Sequence, residues 1–206
     1  MLAAAGTEAT PPFDARGLLR GAVFHYGRLV ANGHRTLREV ARALDARPDE
    51  RVLDVGCGTG GFCRAVPGEY VGIDLDAAYV GFARWRWASP RRQFETTALD
   101  QLDPRAGFDG AIMVNALHHM SDRDAAAVLA RLAVLVRRRL VVADADPEAS
   151  NALQALLLRW DRGDFVRARR AQRRLLETAF RVVDEGRFRN TPHTLVQTLF
   201  VCEPRP

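Results

Sequence analysis

Val52-Leu53-Asp54-Val55-Gly56-Cys57-Gly58-Thr59-Gly60-Gly61 is the stretch that decides how this chain is read. An apolar run of β-formers enters a glycine cluster, and Phe62-Cys63-Arg64-Ala65-Val66 leaves it before Pro67-Gly68. That order predicts a strand, a tight turn and a short helix. Gly56 permits a turn that a side chain would resist, and Gly58 and Gly60 let the backbone approach a ligand closely. The helix after such a loop begins with free N–H groups at its positive dipole end. A nucleotide cofactor is the expected ligand. Its identity stays open on spacing alone, because Gly56, Gly58 and Gly61 satisfy G-x-G-x-x-G while Gly56, Gly58 and Gly60 satisfy G-x-G-x-G.

Working outward, strand and helix alternate. Tyr70 to Ile73 predicts a second strand ending at Asp74, followed by a helix from Ala77 to about Ala88. Gln93 to Leu99 is a weakly patterned third strand, and Asp109 to Val114 a fourth, apolar enough to be buried on both faces. Ser121 caps a helix with a core stripe at Val128, Leu129, Leu132, Leu135 and Val136. Arg137, Arg138 and Arg139 are placed at its C-terminal end, where cations favour the dipole. Leu140 to Ala143 is the fifth strand. Asp146-Pro147 opens another helix with Pro at its first position and a stripe of Leu153, Leu156, Leu157 and Trp160. After a helix over about Phe165 to Ala179, strands over 180–188 and 195–202 flank a loop too short for a crossover, so that pair is antiparallel. Upstream, residues 15–46 read as two helices, with Thr36 and Glu39 as a capping box opening the second and Pro48 stopping it.

The segment Val-Leu-Asp-Val-Gly-Cys-Gly-Thr-Gly at 52–60 resembles motif I of the class I S-adenosylmethionine-dependent methyltransferases, of the kind that act on small molecules. Asp54 distinguishes it from a dinucleotide site. A pyrophosphate does not favour a nearby carboxylate, whereas S-adenosylmethionine carries an ammonium and a sulfonium. The resemblance covers roughly Arg51 to Cys202. It implies an α/β, Rossmann-like three-layer sandwich, with a seven-stranded and mostly parallel sheet ordered 3-2-1-4-5-7-6 in which strand 7 alone is antiparallel. A single domain over 1–206 is expected: a tail over 1–14, a helical cap over 15–48 and a catalytic core over 49–203.

Ligands in such sheets bind beyond the carboxyl ends of the strands, near the switch point between the first and fourth. The resemblance therefore places the cofactor on Asp54, Gly56, Cys57, Gly58 and Gly60, with Asp74 taking the ribose hydroxyls and Leu75 beside it. At the third strand, relatives carry an acid in a run like Gly-Asp-Ala. Here Thr96-Thr97-Ala98-Leu99-Asp100 puts Thr97 where the acid is expected, so Thr97, Asp100 or the backbone of 97–100 reads the adenine edge. Asn115 closes the fourth strand near the methionine end, and Leu117-His118-His119 resembles a segment of small-molecule methyltransferases. One at most of His118 and His119 acts as a base. His25, Tyr26 and His193 are candidates for the substrate pocket.

Composition narrows the rest. All 30 basic residues are arginine, and the formal charge of +5 permits an acidic partner without requiring one. Cys57, Cys63 and Cys202 have no zinc-site spacing, so no metal is expected, and a reduced cytoplasmic setting is the simple reading. Residues 1–12 lack the features of a signal peptide, and no apolar run is long enough to span a bilayer. The segment 159–174 carries seven arginines. It could dock RNA or protein, but its pattern reads first as the solvated face of an amphipathic helix. Nucleic acid is accordingly disfavoured as a partner, and no Pro-Pro-aromatic or Pro-Cys motif follows the fourth strand. The sequence-level expectation is methyl transfer from S-adenosylmethionine to a hydroxylated aromatic or polyketide-like metabolite. The alternatives are an RNA or protein methyltransferase and a cofactor-binding module without turnover.

Overall fold

The computed structural model describes residues 15–149, 164–190 and 196–205. Seven strands form one sheet in the order β3-β2-β1-β4-β5-β7-β6. They are β1 (Arg51–Val55), β2 (Glu69–Asp74), β3 (Arg92–Thr96), β4 (Phe108–Val114), β5 (Val136–Ala145), β6 (Phe180–Arg189) and β7 (Val196–Pro204). Strands β1 to β5 pair in parallel, while β7 runs antiparallel to both β5 and β6. This is the topology the sequence led us to expect.

Period-two alternation sends β1 side chains into two different cores. Leu53 and Val55 join Ala111, Met113 and Leu140 beneath the helix α3 (Asp122–Leu135) and the later helix α4 (Arg169–Leu176). Val52 joins Ile112, Val141, Tyr70 and Phe94 beneath α1 (Ala15–Leu44) and α2 (Ala77–Trp87). Each core closes one side of the sheet. Ser121 caps α3 as its position suggests, accepting from the Asp124 amide at 3.2 Å.

Four expectations are corrected. The two N-terminal helices are one continuous helix, α1. The capping-box signature at Thr36 and Glu39 falls in its interior, and the buried Thr36 hydroxyl donates across the molecule to Gln197 Oε1 at 2.9 Å. Arg137, Arg138 and Arg139 do not end α3 but lie in β5, which starts at Val136. There, Arg138 and Arg139 donate to the carbonyls of Leu44 and Ala43, satisfying the orphan acceptors at the end of α1. Strand β3 ends at Thr96 and a 3-10 turn, Leu99–Gln101, follows. The helix expected over about Phe165 to Ala179 is the shorter α4. Of the helix expected from Asp146-Pro147, only a 3-10 turn, Pro147–Ala149, is described; Leu153, Leu156, Leu157 and Trp160 lie outside the described residues.

Candidate active site

The loop after β1 is built on left-handed backbone. Gly56, Gly58 and Gly60 have φ of 73°, 53° and 74°, a region that L side chains enter at a cost. The Gly56 and Cys57 amides both donate to Ile73 O, pinning the turn to β2. From the end of β2, Asp74 reaches back: its Oδ2 accepts from Gly58 N at 2.8 Å and its Oδ1 from Asp76 N at 2.9 Å. Asp76 in turn caps α2, accepting from Ala78 N and Tyr79 N.

Around this loop lies a cavity of about 520 Å³ at the carboxyl ends of the central strands. Of the residues singled out from sequence, Gly56, Gly58, Asp74, Leu75, Thr97, Ala98, Leu99, Asp100, Asn115 and His119 line it together. The Thr97 hydroxyl donates to Gln101 Oε1 at 2.8 Å, which leaves Asp100 as the exposed carboxylate on that wall. Asn115, at a φ of 54°, closes β4 with its amide on Ala143 O. Its Oδ1 accepts from Gln197 Nε2 at 2.6 Å, so the relay Thr36–Gln197–Asn115 ties α1 to the cavity wall through β7.

Other candidates fall elsewhere. Asp54 is buried on the α1–α2 side of the sheet, accepting the Tyr70 hydroxyl at 2.5 Å, and does not line the cavity. Cys57 packs its side chain against Gly72, beneath the loop rather than in front of it. Gly60 likewise faces inward, because a Cβ there would sit 2.5 Å from the Phe94 ring. His25 is buried against Thr59 and is not a lining residue. The Tyr26 side chain and the whole of His193 lie outside the described residues.

The paired histidines separate. His118 is buried, its Nδ1 2.5 Å from Asp144 Oδ1 and its backbone N–H donating to Asp144 Oδ2 at 3.0 Å. His119 lines the cavity, its ring tilted 47° against that of His118 with centroids 4.1 Å apart. Arg167 fixes the turn that carries both, donating to the carbonyls of Leu117 at 2.9 Å and Met120 at 2.6 Å. Sequence reading missed Asp144 and Arg167 in these positions. Asp144 had a signal, a carboxylate closing the strand beside β4. Arg167 had none, since it lies in the arginine-rich stretch that reads as a solvated face. Also unforeseen is the far wall from α3, where Asp124, Ala127, Val128 and Arg131 line the cavity.

The field at the loop is negative. Burial raises the Cys57 thiol far above its ordinary range, and the carboxylates of Asp54 and Asp74 push it further. A cationic ligand suits that field better than a pyrophosphate does. Among the described residues no cluster of His, Cys, Asp and Glu could hold a metal ion.

Residues 52–139 match a family described as a methyltransferase domain. The match runs from β1 to the start of β5, a little under half of the chain. The chain is 37% identical over 123 residues to the O-methyltransferase cnsE of Penicillium expansum, covering 54% of this chain and 44% of that protein. It is 26% identical over 102 residues to a ubiquinone biosynthesis O-methyltransferase of Rhodopseudomonas palustris (strain BisB18), covering 47% and 39%. The chain thus spans less than half the length of these curated relatives. The N-methyltransferase NodS of Bradyrhizobium japonicum WM9, solved with S-adenosyl-L-homocysteine, shares the fold with a TM-score of 0.71. Identity to it is 17%, over 93% of this chain and 98% of that one.

Proposed function

We propose that this chain binds S-adenosylmethionine and transfers its methyl group to a hydroxyl of a small aromatic or polyketide-like acceptor. The observation that carries the reading is the convergence of Gly56, Gly58, Asp74, Asp100, Asn115 and His119 on one cavity. The chemistry of the donor set fits the cofactor. Asp74 retains lone pairs for the ribose hydroxyls, Asp100 is an acceptor for the adenine amino group, and the negative field of the loop favours the cationic methionine end. When bound, the cofactor supplies an activated methyl group on a sulfonium.

The residues of the chain then have three tasks. Gly56 and Gly58 give the ligand close access to backbone, and Asp74 fixes its orientation. The β4 turn, held by Arg167 and Asp144, presents His119 at the cavity. His119 accepts the hydroxyl proton as the acceptor oxygen is alkylated, and His118 acts through Asp144 as a positioning group. Alignment of nucleophile, carbon and leaving group supplies most of the acceleration. Oxygen as acceptor rests on the two curated relatives named as O-methyltransferases.

Calorimetric titration with S-adenosylmethionine, S-adenosylhomocysteine and NADH tests the cofactor, and NADH binding alone would refute it. Transfer of labelled methyl across a panel of phenols and polyketide-like compounds tests the acceptor. On any acceptor found, His119→Ala should lower kcat about 10²- to 10⁴-fold while leaving S-adenosylhomocysteine affinity in place. A loss below about threefold would remove the base from the mechanism.

A further inference from the structure

The glycine loop has a back as well as a front. Its front residues, Gly56 and Gly58, face the cavity, while Thr59 is buried on the opposite side, 5% exposed. Two helices hold Thr59 from different directions. From α1, His25 Nδ1 lies 2.9 Å from Thr59 Oγ1; from α2, Trp87 Nε1 donates to Thr59 O at 3.0 Å. The two aromatic rings also pack together: His25 lies 5.1 Å from Phe82 and 6.1 Å from Trp87, centroid to centroid. Outside, Arg86 and Arg64 cover Trp87, at 4.2 and 5.5 Å from its ring. Beneath, Gly60 sits on Phe94 and Ala83 with no room for a Cβ.

We infer that His25 and Trp87 are positioning residues, a two-helix clamp that holds the glycine loop in its cofactor-accepting shape by gripping Thr59 from behind. The inference rests on the cofactor reading above and adds to it the control of that site by α1. Three left-handed glycines at alternate positions have large conformational freedom to lose, and glycine loses more on ordering than any other residue. A loop of that kind binds a ligand well only if something else has already ordered it. The hydrogen bonds in front, Gly58 N to Asp74 and Gly60 N to Cys57 O, fix two points. Thr59, between them, is fixed by α1 and α2. The clamp depends in turn on close helix contact, since a Cβ on Gly21 of α1 would stand 2.6 Å from Phe82 Cβ on α2.

Trp87→Phe keeps an aromatic ring and removes the N–H; His25→Phe keeps the ring contact and removes the bond to Thr59. Gly21→Ala never touches the loop but forces the helices apart. Each should weaken S-adenosylhomocysteine binding about three- to tenfold, the effect of one hydrogen bond lost. Each should also speed hydrogen exchange of the Gly60 amide relative to the wild type. Leu176→Val, which loosens the core under α4, is a control for lowered melting temperature and should change neither readout. Affinity within twofold of wild type together with unchanged exchange at Gly60 in the clamp variants would overturn the clamp. If the wild type binds no S-adenosylhomocysteine, the cofactor reading fails, and exchange at Gly60 alone decides the clamp: faster exchange supports it and unchanged exchange refutes it.

Discussion

Replacing Asp74 by alanine separates its two roles. The carboxylate accepts two backbone N–H groups, from Gly58 at 2.8 Å and Asp76 at 2.9 Å, and it lines the cavity. Loss of the two internal bonds, both partly exposed, should cost the free protein about 1–2 kcal/mol in total. For a domain of this size that lowers the melting temperature by about 2–8 °C. Loss of the contact to the ribose should cost a further ~1–3 kcal/mol of binding, since hydrogen bonds to charged groups exceed neutral ones. That is a five- to 150-fold rise in the Kd for S-adenosylhomocysteine. Isothermal titration with parallel thermal melts measures both. Asp76→Ala supplies the contrast. Asp76 caps α2, and its ion pair with Arg20, an exposed partner, adds little. Its removal should therefore cost about 1 kcal/mol of stability and leave the affinity within twofold. Unchanged affinity in Asp74→Ala, or a larger loss in Asp76→Ala, would refute the assignment of Asp74 to the ribose.

Two further outcomes concern stability. Gly60→Ala must adopt a left-handed backbone, at about 1–2 kcal/mol, and push a methyl into Phe94, at about 1–3 kcal/mol; a urea titration showing less than about 1 kcal/mol would mean that the loop relaxes freely. Burial raises Cys63 from near 9 to about 11 and Cys202 to about 12. Between those values and pH 9 the unfolded thiols ionise while the native ones keep their protons, so stability falls as pH rises, by about 1.4 kcal/mol per pH unit for each thiol. Denaturation series at pH 8 and pH 10 should show a shallower fall in Cys63→Ala than in the wild type; identical slopes would contradict the burial of Cys63.

Local signals were read well where one element declares itself. The run from Val52 to Gly61 declared the strand and the turn, its resemblance to motif I implied the order of the sheet, and the short loop between the last two strands implied their antiparallel pairing. What failed depended on partners distant in sequence. Thr36 looks like a cap because the local pattern is one, yet its hydroxyl is committed to Gln197, 161 residues away. Arg138 and Arg139 look like the end of a helix because they follow an apolar stripe, yet they serve the carboxyl end of a different helix. Gly56, Gly58, Asp74 and the wall over 97–100, all expected from the motif and the strand ends, line one cavity. Asp54 was misplaced because its hydroxyl partner, Tyr70, sits on the neighbouring strand. His118 and His119 were indistinguishable until the carboxylate of Asp144 chose between them.

The position of β7 between β5 and β6 has a consequence for the making of the protein. Strands β2 and β3, and β4 and β5, follow one another closely in the chain. The second edges of β1 and β5 each wait for a strand some 50 residues downstream, β4 and β7. Residues 196–202 of that strand are all buried, so its arrival joins β6 to the sheet and covers apolar surface from both sides at once. During synthesis the growing chain therefore presents the edge of β5 unpaired until β7 emerges near its end, an interval in which a nascent chain is open to wrong pairing and to capture by chaperones.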